Sequence, residues 1–320
     1  MAVLLALVEL GSNATRCLLA RITPGVGFDV LRQERVQTRL GSGPPGTLAP
    51  DAIALTLATV RGFLGRVRTG ADPRVLAVAT AAVRDAGNPE PLLEPLKRQG
   101  VDVRVLTGAE EARLAARAAI LTLPVRNGLV VDLGGSSLQL TRLRAGRIVS
   151  TASLPLGALR TTRQFFRHDP PTPGELTALR QATRAALSGR LPAAAPGDTL
   201  VGLGGTVRTL ARIHLRSQGL DGTERHGLRL RRSDVATIRG RLEALPLALR
   251  RAVPGVKAER ADILVAGAVV LHELMRLSGL PALVVCTHGV RDGMLFQEAF
   301  PGDAGPVALS PKRNGAVMSS

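Results

Sequence analysis

The sequence predicts an α/β protein made of two domains that repeat one plan. Apolar runs of strand length alternate along the chain with stretches of helical periodicity. Two segments more than a hundred residues apart, "LVELGSNATRCLLARI" from Leu7 and "VVDLGGSSLQLTRL" from Val130, share one layout: an acid at a strand end, Leu-Gly, small polar turn residues, then an outgoing strand. Such self-similarity is the mark of an internal duplication. The length of 320 residues suffices for two domains with their own cores, which implies a cleft between them. The expected boundaries are 1–124 and 125–300, followed by a disordered Pro/Gly/Ser-rich tail over 301–320.

Each element has its own signal. "LLALVEL" and "RCLLARI" read as strands around a tight turn at Gly11-Ser12-Asn13. Ile53, Leu57, Val60, Leu64 and Val67 recur in steps of four and three, which places them on one face of a helix. "RVLAVAT" reads as a buried strand, "EPLLEPLKRQG" as a short helix ending at glycine, and "VDVRVL" as another strand. In "TGAEEARLAARAAI", Thr107 and Glu110 have capping-box spacing ahead of a helix. In the second half, helices are expected near 173–190, 206–215, 233–243, 258–278 and 289–299, and strands near 198–203 and 282–286.

Composition narrows the function. Hydrophobic residues make up 45% of the chain and mean hydropathy is +0.17, yet no run approaches the roughly 18 apolar residues of a spanning helix, so no membrane role is expected. "MAVLLALVEL" has no basic leader or cleavage site and runs directly into Gly11, which reads as a buried strand and predicts a cytoplasmic protein. Cys17 and Cys286 lack metal or redox spacing and are expected to be buried and apolar in character. The formal net charge is +17, and only Lys97, Lys257 and Lys312 among the 42 basic residues are not arginine. Such a chain attracts polyanions. With no Trp, no Tyr and six Phe it has few platforms for stacking bases, so phosphate chains or nucleotides are favoured as partners and nucleic acid is disfavoured. A homodimer is left open.

The chemistry-bearing features are turns and acids. Gly/Ser turns between strands let phosphate oxygens approach backbone N–H groups, and Asp132 stands where it would hold a divalent cation against the same phosphate. Either hairpin alone also fits a plain type I′ or II′ turn; the two together favour phosphate. "LVGLGGTVRTLA" carries Gly204 and Gly205 into a helix beginning near Thr206, a third anion-type turn that matches neither GxxxxGK[ST] nor GxGxxG. Glu110 has Arg113 as an i+3 partner, whereas Glu111 faces Leu114, Ala115 and Ala118. Desolvation there would raise its pKa toward that of a general base, whereas the residues alone favour the plainer reading of a first-turn Glu serving the helix dipole. Arg84, just after a strand, is either a phosphate clamp or a surface charge. His168, His214, His226, His272 and His288 have no metal-ligand spacing.

In this order, "ELGSNATR", "ATAAVRDA", "LTGAEEARL", "VVDLGGSSLQL", "SLPLGALRTT", "VGLGGTVRTLA", "RADILVAGA" and "HGVRDGML" resemble the exopolyphosphatase / guanosine pentaphosphate phosphatase (Ppx/GppA) family from about Val8 to Phe296. The resemblance implies a duplicated actin-like (ribonuclease-H-like) ATPase fold of the short two-domain type. It further implies hydrolysis of the terminal phosphoanhydride of inorganic polyphosphate or a guanosine polyphosphate, with Mg²⁺ or Mn²⁺. By the same resemblance Glu111 is the catalytic glutamate and Asp132 the acid of the second phosphate hairpin. Gly11, Ser12, Asn13, Arg84, Gly134, Gly135, Ser136, Ser137, Gly204, Gly205 and Thr206 contact phosphate, and Asp132, Glu9 and Gln139 form the metal set. Three residues depart from the family pattern: Glu9 stands where Asp is usual, Ser136 replaces the third glycine of DLGGGS, and Gln139 replaces a Glu, which predicts weaker Mg²⁺ binding.

Overall fold

Residues 1–68, 72–191 and 193–302 are described by the structure, a computed structural model. The chain divides into two compact units, Met1–Thr107 with the segment from Val290 onward, and Gly108–Gly289. The predicted tail lies almost wholly outside the described residues.

In the first unit, β1 (Val3–Leu10), β2 (Thr15–Thr23) and β3 (Gly27–Val36) form an antiparallel meander. Helix α1 (Pro50–Arg68) then leads to β4 (Arg74–Ala79), which runs parallel to β1. Helices α2 (Ala81–Arg84) and α3 (Glu90–Arg98) lead to β5 (Val103–Val105), and the sheet order is β3-β2-β1-β4-β5. Period-2 alternation decides the faces of β1. Ala6, Val8 and Leu10 enter the core with Ile53, Val60, Phe63, Leu64 and Val67 of α1, and Glu9 therefore points to the other face. Full burial of each large apolar side chain contributes roughly 1.5–3 kcal/mol. Cys17 joins this core, and burial above all, with Glu34 next, pushes its thiol up to about 12, so it is chemically inert at neutral pH. Neither cysteine is in a disulfide, and both are buried, as expected. The chain's last helix, Val290–Ala299, returns to this unit: Phe296 meets Phe28 of β3 edge-on at 5.2 Å, and Gly25 N–H donates to Ala299 C=O.

The second unit begins with α4 (Gly108–Thr122), followed by the meander β6 (Gly128–Leu133), β7 (Leu138–Arg144) and β8 (Arg147–Leu154). Helices α5 (Ala158–Phe165) and α6 (Pro173–Leu187) lead to β9 (Thr199–Leu203), which is parallel to β6. Then come α7 (Gly204–Ser217), the edge strand β10 (Arg229–Arg231), α8 (Arg232–Ala244), α9 (Leu247–Ala252), α10 (Ala261–Leu277) and β11 (Ala282–Val285). The order β8-β7-β6-β9-β11 repeats that of the first sheet, and β10 adds one antiparallel strand at the edge. The duplication seen in the two hairpins thus extends to both sheets. Helix α10 is apolar on nearly all sides and forms the spine of the second core with Leu264, Val265, Val269 and Leu274. No helix among the described residues is long and apolar enough to cross a membrane.

The units divide at 107/108 rather than at the expected 124/125. Helix α4 rests on the second meander, with Thr141 Oγ1 donating to Ala112 C=O at 3.3 Å, so Glu111 belongs to the second unit. The last helix, expected in the second domain, packs on β2 and β3 of the first.

Candidate active site

The two hairpin turns use one hydrogen-bond scheme. In the first, Gly11 N–H donates to Ala14 C=O at 3.2 Å, while Gly41 N–H takes Ser12 C=O at 2.8 Å and Arg39 N–H takes Asn13 C=O at 3.3 Å. In the second, Gly134 N–H donates to Ser137 C=O at 3.0 Å. There the first turn of α5 takes the carbonyls: Ala158 N–H donates to Gly134, and Leu159 and Arg160 N–H both donate to Gly135. Both turns therefore have their carbonyls tied back. The N–H groups of Ser12 and Asn13, and of Gly135, Ser136 and Ser137, make no backbone hydrogen bond among the described residues. A row of such donors is an anion-binding concavity. Close packing explains the small residues: a Cβ on Gly11 would lie 2.8 Å from Ala14 O, and one on Gly157 would overlap the backbone of Gly135 and Ser136. Ser12, Asn13, Ser136 and Ser137 are all buried. Asn13 Oδ1 accepts from Gln37 Nε2 at 3.5 Å, and its Nδ2 has no partner.

The acids before the turns differ in what faces them. Glu9 stands directly across the strand pair from Arg16, with Nη1 at 3.0 Å from its Oε1. Arg291, in the first turn of the last helix, reaches its other oxygen at 3.2 Å. Asp132 occupies the equivalent place in the second hairpin and faces Gln139. Gln139 is 1% exposed; its Nε2 lies 2.6 Å from Ser137 Oγ and 3.4 Å from Ser153 Oγ, and its Oε1 has no partner. Turning the amide over would exchange the roles of oxygen and nitrogen and still leave one end unmatched. Ser153 is the residue opposite Gln139 on β8 and lies directly against Gly108, where a Cβ would overlap its side chain. The start of α4 is therefore seated over the Gln139–Ser153 row, and it carries the buried Glu111 in its first turn.

The third turn belongs to the same unit. Gly204 has φ +96°, in the left-handed region that favours glycine, and a Cβ there would overlap Leu133 O and lie 2.9 Å from Asp132 Oδ1. The turn thus packs against the end of the second hairpin's first strand. Gly205 is covered by the Arg260 guanidinium, which a Cβ would overlap. Thr206 Oγ1, in the first turn of α7, is buried without a partner. Arg84 donates from Nη1 to Leu106 C=O at 2.9 Å, and its Nε is 3.4 Å from Asp85 Oδ1. It is thus anchored at the end of β5 within the first unit.

The metal set expected from the sequence is only partly suited to a cation. No group of three or more His, Cys, Asp or Glu fit to hold a metal occurs among the described residues. Glu9 has a guanidinium on each oxygen, and Gln139 supplies at most a neutral amide oxygen. Asp132 remains as the acid with ligand character. That suits a Mg²⁺ that keeps most of its waters and is shared with substrate phosphates, rather than one held in an all-protein cage.

Reasoning from the residues alone overlooked Arg16, Arg291, Arg260, Ser153 and Gly157. All five lie inside the quoted blocks "ELGSNATR", "SLPLGALRTT", "RADILVAGA" and "HGVRDGML", so their neighbourhoods were visible although their roles were not.

Residues 18–300 match the model of the Ppx/GppA phosphatase family. An uncharacterised protein of Streptomyces coelicolor is 35% identical over 312 residues, covering 93% of this chain and 91% of its own. Exopolyphosphatase 2 of Mycobacterium tuberculosis is 31% identical over 314 residues, covering 92% and 98%. The crystal structure of the Aquifex aeolicus PPX-GPPA enzyme superposes with a TM-score of 0.77 at 30% identity, covering 92% of this chain and 99% of that one. The repeated strand order and this likeness establish the duplicated actin-like, ribonuclease-H-like fold.

Proposed function

Since the chain belongs to the Ppx/GppA phosphatase family, a family of hydrolases, we propose that it is a cytoplasmic, Mg²⁺-dependent exopolyphosphatase that releases orthophosphate from the end of inorganic polyphosphate. The observation that carries this reading is the shared hydrogen-bond scheme of the two hairpins, which frees consecutive N–H groups at both turns. Phosphoryl transfer asks a protein for positioned water and compensated oxygens rather than for a covalent nucleophile. The Gly134–Ser137 turn and the start of α7 supply fixed donors for the oxygens of the terminal phosphate, and the first hairpin repeats that pattern in its own unit. Glu111 orients a water and takes its proton as the water oxygen bonds to phosphorus. The bridging P–O bond breaks, leaving orthophosphate and a chain one unit shorter. Mg²⁺, held through Asp132 and the phosphates, would supply charge compensation at the oxygens.

The test is phosphate release from polyphosphate and from guanosine pentaphosphate, with Mg²⁺ and with chelator, for the wild type and Glu111→Gln. We expect release from polyphosphate that requires Mg²⁺ and falls by about 10²- to 10⁴-fold in the variant. Faster release from guanosine pentaphosphate would replace the polyphosphate reading. Tight binding of both substrates without turnover would make the chain a phosphate-chain sensor.

A further inference from the structure

A hollow of about 500 Å³ lies in the second unit away from the glycine turns, lined by Arg229, Arg231, Arg232, Ser233, His272 and Pro281 among others. Its place follows from the register. Arg231 pairs with Ala282 at the start of β11, and β11 runs parallel to β9 with Leu283 opposite Leu200. The hollow is therefore at the end of the sheet where β9 begins, while the Gly204 turn follows the end where β9 stops. Strand rise and spacing put the two about 20 Å apart.

The charges of the hollow are unusually one-sided. Alternation along β10 buries Leu230 and turns Arg229 and Arg231 to the same side. Arg231 is held by Asp234 at 3.1 Å, whereas the side chains of Arg229 and Arg232 have no hydrogen-bond or ion-pair partner among the described residues. The nearby acids are engaged elsewhere. Glu243 is bound by Arg180 and Arg239 at 2.9 and 2.8 Å, and Glu273 by Arg184 and Arg276 at 2.8 and 3.1 Å. Burial first, then Arg239, holds His272 below the usual imidazole range, with Arg232 adding to the effect, so at neutral pH it adds hydrogen bonding without charge. Ser233 adds a hydroxyl at the start of α8. Guanidinium forks match phosphate oxygens in pairs, and two of them without carboxylates suit a ligand with linked phosphate groups better than a single anion.

We infer that this hollow is a second oligophosphate site, built on Arg229, Arg232, Ser233 and His272 and separate from the glycine turns. Its ligand is either a short free oligophosphate or a distant stretch of a long chain. That the long chain is also the substrate rests on the reading above; binding in the hollow does not.

The test is calorimetric titration of the Glu111→Gln protein with tripolyphosphate and with long-chain polyphosphate. It is repeated with Arg229→Ala/Arg232→Ala added, and with Arg147→Ala/Arg190→Ala as an equal-charge control at exposed positions of the same unit. Two tripolyphosphate equivalents are expected in the parent and the control, and one, of unchanged affinity, in the hollow variant. The His272 ring resonances should shift only with the lost equivalent. One equivalent in the parent and none in the hollow variant keeps this site and overturns binding at the turns. Equal stoichiometry in parent and hollow variant, or an equal loss in the control, overturns the inference. A roughly tenfold weaker long-chain Kd in the hollow variant identifies the ligand as a distant chain segment; an unchanged one, with the tripolyphosphate equivalent lost, identifies it as a free oligophosphate.

Discussion

Replacing Gln139 with Glu places a second carboxylate directly across the β6–β7 pair from Asp132. Opposed residues on antiparallel strands have Cβ atoms about 4.5–5.5 Å apart. Two carboxylates about 5 Å apart at an effective permittivity of about 20 repel by roughly 3 kcal/mol. The hydroxyls of Ser137 and Ser153, now facing the amide nitrogen at 2.6 and 3.4 Å, can rotate to donate to the new acid, returning about 1 kcal/mol. Gln139→Glu should therefore lose roughly 2 kcal/mol in chelator. A cation bound between the acids reverses the sign, since ligand at a hundred times its Kd contributes about 2.7 kcal/mol. Urea unfolding in chelator and in saturating Mg²⁺ measures both terms. The variant should be less stable than wild type without Mg²⁺ and should recover with it, while the wild type changes little. A variant as stable as wild type in chelator, or one indifferent to Mg²⁺, would refute the account of Gln139 as a residue that spares this turn a like-charge pair.

Two further predictions concern stability. Asp198, whose side chain is 1% exposed, binds Arg142 at 2.7 Å and Arg144 at 2.6 Å and accepts from Ala195 N–H at 2.8 Å. Asp198→Ala strands the buried Arg142 and should cost about 3–5 kcal/mol in chemical denaturation, a reading that a loss under about 1 kcal/mol would contradict. Glu175 closes the capping box of α6 with Thr172, and hydrogen bonds, foremost from Thr172 N–H, hold its carboxyl down at about 2. Because this value is below the unfolded one, its contribution is present above the unfolded pKa of about 4.3 and is lost as pH falls toward 2. The thermal-midpoint gap between wild type and Glu175→Gln should shrink over that window; a gap independent of pH speaks against it.

What could be read from the sequence follows from where each signal lies. Helix α1 was legible because its buried residues recur at helical spacing, and strands β1 and β4 because each is an unbroken apolar run of strand length, buried on both faces at its end. Strand β3 was not, because "GFDVLRQERV" is a mostly exposed strand at the sheet edge and has no apolar alternation. Strand β8 is another exposed edge, and β10 is only Arg-Leu-Arg. The turns were legible as Gly/Ser clusters, but the donors that tie back their carbonyls come from Arg39, Gly41 and the start of α5, none of which carries a local signal of that role. Likewise, nothing in the residues beside Arg291 announces that it meets Glu9 across nearly the whole chain, least of all in a sequence so rich in arginine.

The duplication also shows how one turn design yields two chemical characters. Both copies keep the closing glycine bond and the tied carbonyls, so the backbone donor pattern is the shared inheritance of the repeat. They differ in the residue opposite the acid. In the first copy Glu9 faces Arg16 and also holds Arg291, so formal charges sum to an excess of one positive charge beside donors that favour anions. In the second, Asp132 faces a neutral amide across the strand pair, where the first copy has a guanidinium. The Gln139→Glu comparison therefore perturbs the residue opposite the acid in the second hairpin while leaving the arginine-lined one untouched.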